Sequence, residues 1–229
     1  MERSSRVVVV TRLILEETRA RYPEQPAEKF VCIPNGFDPA AFAGFRSRPH
    51  QQPGFVVAYV GTVYSTTSPR HYLDALDTLP ADVRLQVETR FIGRIADDQR
   101  PVLENRGSKL TVLGFMPQNA ALRQMEEVDY LLLTMEDPSA ATGKMYEYLA
   151  TGKPILAVAP LDGEIGQVIQ ATRAGWCVDP QDRQGIADLL TKAFDPGRTL
   201  LERFQPDQAA IRAYERPRLA RAFADLILG

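Results

Sequence analysis

DYLLLTMEDPSAATGKMYEYLATGKPILAVA, residues 129–159, reads as strand, helix and strand in succession. DYLLLT at 129–134 and PILAVA at 154–159 are apolar runs of strand length without alternation, which suits strands buried on both faces. Between them Thr142 and Gly143 open a helix, Gly152 closes it, and Pro154 begins the next strand. Strands joined by a helix in this way run parallel, with the helix as the crossover.

The pattern repeats outward from this unit. Further strand candidates are FVVAYV at 55–60, LQVETRFI at 85–92, LTVL at 110–113 and WCV at 176–178. Helix starts are marked by Ser68 before Pro69, Asn119 after Pro117, Thr142 before Gly143, and Asp182 ahead of Leu189 and Leu190. Leu73, Leu76 and Leu79 recur at helical spacing. The expectation is an α/β fold with a doubly wound, Rossmann-like parallel sheet over residues 54–195.

The flanks differ. VVVVTRLILEETRARY at 7–22 reads as one strand and one helix, followed by the connector YPEQPAEKF and a short run VCIP. Residues 39–53 hold three Pro, two Arg and two Gln, which predicts a surface linker. DPG at 195–197 breaks the pattern, and residues 207–228 carry one or two further helices around Pro217.

Composition removes several function classes. The 229 residues are 45% hydrophobic and 24% charged, ordinary for a soluble globular protein. With 27 Lys plus Arg against 29 Asp plus Glu, a net charge of -2 gives no general attraction to nucleic acid or anionic membrane. Any phosphate must therefore be held locally. Cys32 and Cys177 stand alone, and His50 and His71 are the only histidines, so neither a disulfide scaffold nor a zinc site is expected. No apolar run approaches the ~20 residues of a spanning helix, and MERSSR leads into a strand and not a signal peptide, so a cytoplasmic protein is expected.

The chemistry concentrates on the helix of the opening stretch. Met145, Tyr148 and Leu149 share one face, and Lys144, Glu147 and Thr151 another. Small residues at the helix start leave backbone N–H groups open to an anion, the dipole favours negative charge there, and Lys144 adds a cation. Glu147, one turn further in, offers two acceptor oxygens to a vicinal diol such as a ribose. The competing reading is a solvated i, i+3 pair on an ordinary helix. A P-loop is excluded, because Pro138 stands where Gly is required and Met145 where Ser or Thr is required. No GxGxxG follows a strand, which weighs against a dehydrogenase.

Five landmarks now fall in order: IPNGFD at 33–38, YVGTVY at 59–64, FIG at 91–93, LTVLGFMP at 110–117 and TGKMYEYLATGKPILA at 142–157. Their sequence resembles the C-terminal half of retaining GT-B glycosyltransferases of the bacterial polysaccharide and lipopolysaccharide type, over roughly residues 5–195. The resemblance implies a hexosyltransferase, retaining and metal-independent, with a nucleotide-diphosphate sugar as substrate and no cofactor. It places Glu147 on the donor ribose and Lys144 and Arg70 on the diphosphate, with Thr142 and Gly143 at the helix start. Gly61 lets the following loop approach the phosphates, and Phe115 and Met116 form the wall of the base pocket. Arg94 enters on its own position, past the carboxyl end of a strand. Where the family often carries a further Glu, eight positions before Glu147, this chain has Ser139, which is carried as a sugar-facing candidate on position alone.

The resemblance also implies that residues 1–38 are a remnant of the end of an N-terminal acceptor domain plus connector, and that residues 196–229 pack back toward that missing domain. The chain is then expected to be inactive alone and to self-associate through its flanks at high concentration, with membrane-peripheral placement only through the missing half. Two rivals remain: a non-catalytic sugar-nucleotide-binding or protein-interaction module, and a nucleotide-sugar 2-epimerase, which needs carboxylates and a histidine in the site. His71 reads as structural or exposed, and Trp176 and Cys177 as core.

Overall fold

Six strands lie side by side in one wholly parallel sheet. The computed structural model describes residues 4–48, 50 and 53–228; Pro49, Gln51 and Gln52 of the expected linker, and the first three residues of MERSSR, lie outside them. Along the chain run β1 (Val7–Val9), α1 (Arg12–Arg21), β2 (Phe30–Cys32), β3 (Phe55–Val60), α2 (Arg70–Thr78), α3 (Ala81–Arg84), β4 (Val87–Ile92), α4 (Arg100–Leu103) and β5 (Lys109–Gly114). They are followed by α5 (Gln118–Glu126), β6 (Tyr130–Thr134), α6 (Gly143–Thr151), β7 (Ile155–Val158), α7 (Glu164–Thr172), β8 (Gly175–Val178), α8 (Arg183–Ala193), α9 (Thr199–Glu202), α10 (Gln208–Arg212) and α11 (Arg216–Leu228).

The chain winds from β3 outward through β4 to β5, crosses back to β6, and winds the other way through β7 to β8. This reversal puts a topological switch point between β3 and β6, where a doubly wound sheet opens a crevice at its carboxyl edge. Strand residues alternate between two cores. Val56, Ala58, Leu131 and Leu133 pack with Met125 of α5, Met145 and Leu149 of α6, and Ile165 of α7. Val57, Tyr59, Tyr130 and Leu132 pack on the opposite face with Leu73 and Leu76 of α2 and Ile186 and Leu190 of α8. Each central strand is covered twice, which is why its sequence shows no alternation. Trp176 and Cys177 are half-buried, not core, because β8 is an edge strand.

The helix starts follow the expected residues with one displacement. Asp182 accepts the Gly185 N–H at 2.8 Å, and Ser68 Oγ accepts that of Arg70 at 3.4 Å. Asn119 lies inside α5, whose extended flank is Pro117 itself. Thr142 occupies the cap position of α6 without a side-chain cap bond.

Outside the large sheet, β1 and β2 pair in parallel, Val7 opposite Phe30, with α1 between them and no residue of α1 buried. The stretch after β2 is more than a linker, since Phe37 and Phe42 are buried among the residues packed on α6. Phe37 N–H donates to the Tyr214 carbonyl at 3.0 Å, and Arg216 N–H to the Phe37 carbonyl at 2.8 Å, so the C-terminal segment is sewn to the connector.

Two buried charges tie the sheet to its surroundings. Lys153 Nζ donates to the carbonyls of Arg48 at 2.8 Å and Val128 at 2.6 Å. Asp129, just before β6, accepts the Val56 N–H at 2.8 Å and pairs with Arg198, which also donates to the Gly54 carbonyl. Asp129→Ala leaves an N–H and a guanidinium without their acceptor. It is expected to lower stability by about 2–4 kcal/mol, toward the low end for a broken buried pair because Arg198 keeps solvent contact. Urea unfolding measures this, with Asp129→Asn, which retains an acceptor, predicted to fall between; a loss within experimental error would remove Asp129 from the framework.

Candidate functional site

The carboxyl ends of β3, β4 and β5 enclose a cleft of about 490 Å³, lined among others by Phe42, Gly61, Thr62, Gly93, Arg94, Phe115, Met116, Gln118 and Glu147. Five expected site residues therefore meet in one cavity: Gly61, Arg94, Phe115, Met116 and Glu147. Gly61 ends β3 with φ of +117°, and a Cβ there would stand 3.3 Å from Lys144 Cε. The absent side chain leaves the lysine its channel.

Lys144 is the unusual group. Its Nζ is sealed from solvent without a hydrogen-bond acceptor and lies 3.5 Å above the Tyr59 ring centroid. The ring is fixed from below, because Tyr59 Oη donates to the Thr62 carbonyl and is also 3.1 Å from Thr67 Oγ1. An aromatic face attracts a cation, yet burial dominates and pushes the ammonium down to about 7. No ion pair joins Lys144 to Glu147 among the described residues, so the solvated-pair reading does not describe this helix. Thr142 Oγ1 and Tyr146 Oη are likewise buried without partners. Three of the six such side-chain atoms among the described residues thus fall within Thr142–Tyr146.

Glu147 follows one turn on, half-buried, with its carboxyl raised by burial and drawn back by the charge of Arg216. The α6 faces sort as their spacing predicts, with Met145, Tyr148 and Leu149 in the core. Tyr148 Oη accepts the Val60 N–H at 2.8 Å and locks α6 onto the end of β3. At the other end of the cleft Phe115 is 74% exposed, with the Arg94 guanidinium 5.2 Å from its ring centroid. Met116 packs against the core.

Other expected residues lie apart. Arg70 stands exposed at the first position of α2 and does not line the cleft. Gly143 is the exposed first residue of α6. Ser139 donates its hydroxyl and its N–H to Asp137 Oδ1, at 2.8 and 2.9 Å, and lies outside the cleft lining. His71 approaches Glu136 at 3.7 Å beside the switch point. Sequence reasoning missed Thr62, Gly93, Phe42, Tyr59 and Arg216. A glycine ending each of β3, β4 and β5 was a readable sign for Gly93; nothing local signals Tyr59 or Arg216.

Residues 54–195 match the family model described as glycosyl transferases group 1. A probable glycosyltransferase, WbjE of Pseudomonas aeruginosa, is 30% identical over 102 residues, 43% of this chain and 26% of that protein. HepE of Anabaena, solved in complex with UDP and glucose, superposes with a TM-score of 0.72 at 18% identity over 97% of this chain and 63% of its own. WaaG, a glycosyltransferase involved in lipopolysaccharide biosynthesis, gives 0.68 at 17% identity over 90% of this chain and 57% of its own. The chain thus spans less than two thirds of the length of each. The parallel six-stranded, Rossmann-like sheet is the fold of these GT-B neighbours. No helix among the described residues is long and apolar enough to cross a membrane.

The Lys144 environment yields a test that needs no ligand. The folded state holds the ammonium less readily than the unfolded chain, which keeps the proton up to 10.5, so stability contributed at this site rises as pH climbs from about 7 toward 10.5. Lys144→Met is expected to flatten that rise. Denaturant titrations at several pH values would detect it, and identical pH profiles for the two proteins would contradict the buried, unpaired amine.

Proposed function

The chain belongs to the glycosyl transferases group 1 family, and on that premise we propose that it is the donor-binding part of a sugar-transferring enzyme, holding a nucleotide-diphosphate sugar in the cleft at the carboxyl edge of its sheet. The observation that carries the reading is the sealed Lys144 ammonium, which has no acceptor of its own and lies beside the start of α6. A diphosphate supplies what is lacking: charge for Lys144, acceptors for the first N–H groups of α6, and a partner for Thr142. Gly61 leaves the approach open, and Arg70 adds a second cation from α2. Glu147 then receives the ribose hydroxyls, while Phe115, Met116 and Arg94 receive the base at the far end. The complex of HepE with UDP supports a uridine nucleotide as the first to try.

Two cations and a helix start are enough to stabilise a departing diphosphate, so metal-independent, retaining transfer belongs to the proposal. In this reading an N-terminal domain supplies the acceptor, and the chain alone binds without transferring, because orientation of two reactants is worth roughly 7–11 kcal/mol of barrier. With no second wall to hold an acceptor, a binding module is the other form the same cleft supports. Ser139, tied to Asp137, takes a turn-building role in this proposal.

Calorimetry with UDP, GDP and ADP tests the cleft. Glu147→Ala should weaken the preferred nucleoside diphosphate about 10- to 100-fold, the loss of charge-assisted hydrogen bonds of roughly 1.5–3 kcal/mol. Lys144→Met should cost diphosphate binding far more than nucleoside binding, and chelator should change neither. Because the bound diphosphate raises the Lys144 pKa above about 7, affinity for UDP-glucose should fall as pH rises past that value, by at most about tenfold per unit. A folded Glu147→Ala protein with unchanged affinity would displace the ribose assignment. A radiolabelled-donor assay on this chain, and on the chain joined to a GT-B N-terminal domain, separates binding from transfer; robust transfer by the chain alone would sink the half-enzyme reading.

A further inference from the structure

The far edge of the sheet carries a cavity of its own. It measures about 370 Å³ and lies where α7 ends, β8 begins and the chain leaves α9, lined among others by Gln170, Arg173, Trp176, Arg203, Phe204 and Gln205. That volume falls in the range of roughly 300–1,000 Å³ in which small-molecule sites are found. β8 closes the strand order that β5 opens, and this cavity shares no lining residue with the donor cleft. Its walls are fixed. The Asp207 N–H donates to the Thr172 carbonyl at 2.7 Å, which pins the segment after α9 to the end of α7. The Trp176 ring meets buried Tyr130 in a T-shaped contact at 6.5 Å and Phe204 at 6.0 Å, tilted by 47°.

The polar groups around that aromatic pair are uncommitted. Among the described residues no hydrogen bond or ion pair engages the Gln170 amide, the Gln205 amide, the Arg203 guanidinium or the Trp176 indole N–H, and none of them is sealed from solvent. Arg173 is joined only at 3.6 Å to Asp207, whose carboxylate also accepts the Ala209 and Ala210 N–H groups at 3.0 Å as the cap of α10. Two guanidinium groups thus stand against one carboxylate that is already in use.

Each kind of group points to a different part of one ligand. Guanidinium and indole offer donors and no acceptor, so they call for an anion, which an arginine fork meets with two parallel bonds when it is a carboxylate or phosphate. The two amides both donate and accept, as hydroxyl groups do. The negative faces of Trp176 and Phe204 attract the polarised C–H bonds of a saturated ring. An apolar ligand would leave the donors unpaired, and a bare inorganic anion would leave the rings uncovered. We propose that this cavity is a second ligand site, taking an anionic pyranose, a sugar ring that carries a carboxylate or phosphate. Its C–H face rests on Trp176 and Phe204, its hydroxyls on Gln170 and Gln205, and its charge on Arg203 and Arg173. The inference does not rest on the donor assignment, since no residue of the donor cleft takes part.

Trp176 is the only tryptophan of the chain, so indole emission reads this cavity directly. The experiment titrates the whole chain with glucuronate, glucose-6-phosphate, glucose and inorganic phosphate, following Trp176 emission and, in parallel, heat by calorimetry. Both sugar anions should give a saturable change, with glucose and inorganic phosphate each weaker by about tenfold or more, because each lacks one half of the contacts. Arg203→Met should bring glucuronate down roughly ten- to hundredfold, toward glucose, and Arg203→Lys should recover part of the loss. Gln205→Ala, at an exposed position, should weaken glucuronate without changing the urea midpoint. Saturating UDP should leave the glucuronate titration as it was. Absence of a saturable response to either sugar anion overturns the site. So does inorganic phosphate binding as tightly as the sugar anions, which reduces it to a bare anion contact, or a glucuronate affinity that Arg203→Met and Gln205→Ala both leave intact. Displacement of glucuronate by UDP would put the sugar acid in the donor cleft and likewise overturn a separate site.

Discussion

A parallel sheet sends every strand in the same direction, so all its carboxyl ends, and the loops that leave them, share one edge. Where the winding reverses between β3 and β6, the crossover helices depart to opposite faces, and neither covers the gap. One side of the cleft, where Gly61 and Glu147 stand, borders that gap. Gly61 ends one of the two central strands; the loop after the other leads into α6, and Tyr148 binds the two together at the Val60 N–H. This side of the site is thus framed by the most deeply buried strands, whereas Phe115 and Met116 follow the edge strand β5.

Within that frame the balance of charge is unusual. Lys144 is desolvated and unpaired, and Glu147 is pushed toward its neutral form and drawn back by a distant arginine. Asp129 and Lys153 are also buried, but each has its acceptors or donors satisfied by backbone and by Arg198. Buried charges that serve the framework are saturated, and those at the start of α6 are not. That contrast, more than any single residue, separates the saturated polar groups of the framework from the unpartnered ones at the start of α6.

Much of this was legible from local pattern. The strands and the apolar face of α6 come directly from runs and spacing, because the sheet is buried on both faces and the helix on one. Glu147, Phe115 and Met116 were reachable because each sits at a fixed offset from a strand end or a helix start. What remained hidden is non-local. That Lys144 would be sealed and not solvated depends on the Tyr59 ring, on another strand 85 positions away in a core no spacing rule describes. The expected linker is the clearest difference: its Pro and Gln read as surface, while Phe42 carries it into the core against α6. Asn119 misleads for a simpler reason, since Pro117 already provides the extended flank from which α5 starts.

The seam between connector and C-terminal segment also bears on how the chain acquires its form. The bond from Arg216 to Gly36 closes a loop of 180 residues, among the longest separations the molecule can bridge. The six strands and the helices that cover both of their faces end with α8 at Ala193, so they can come together before the seam at Arg216 is made. Only when the segment around Arg216 follows does the chain fasten on itself. Such late, long-range closure is entropically slow. In this order of events the sheet is closed on both faces before the connector and the C-terminal segment are joined.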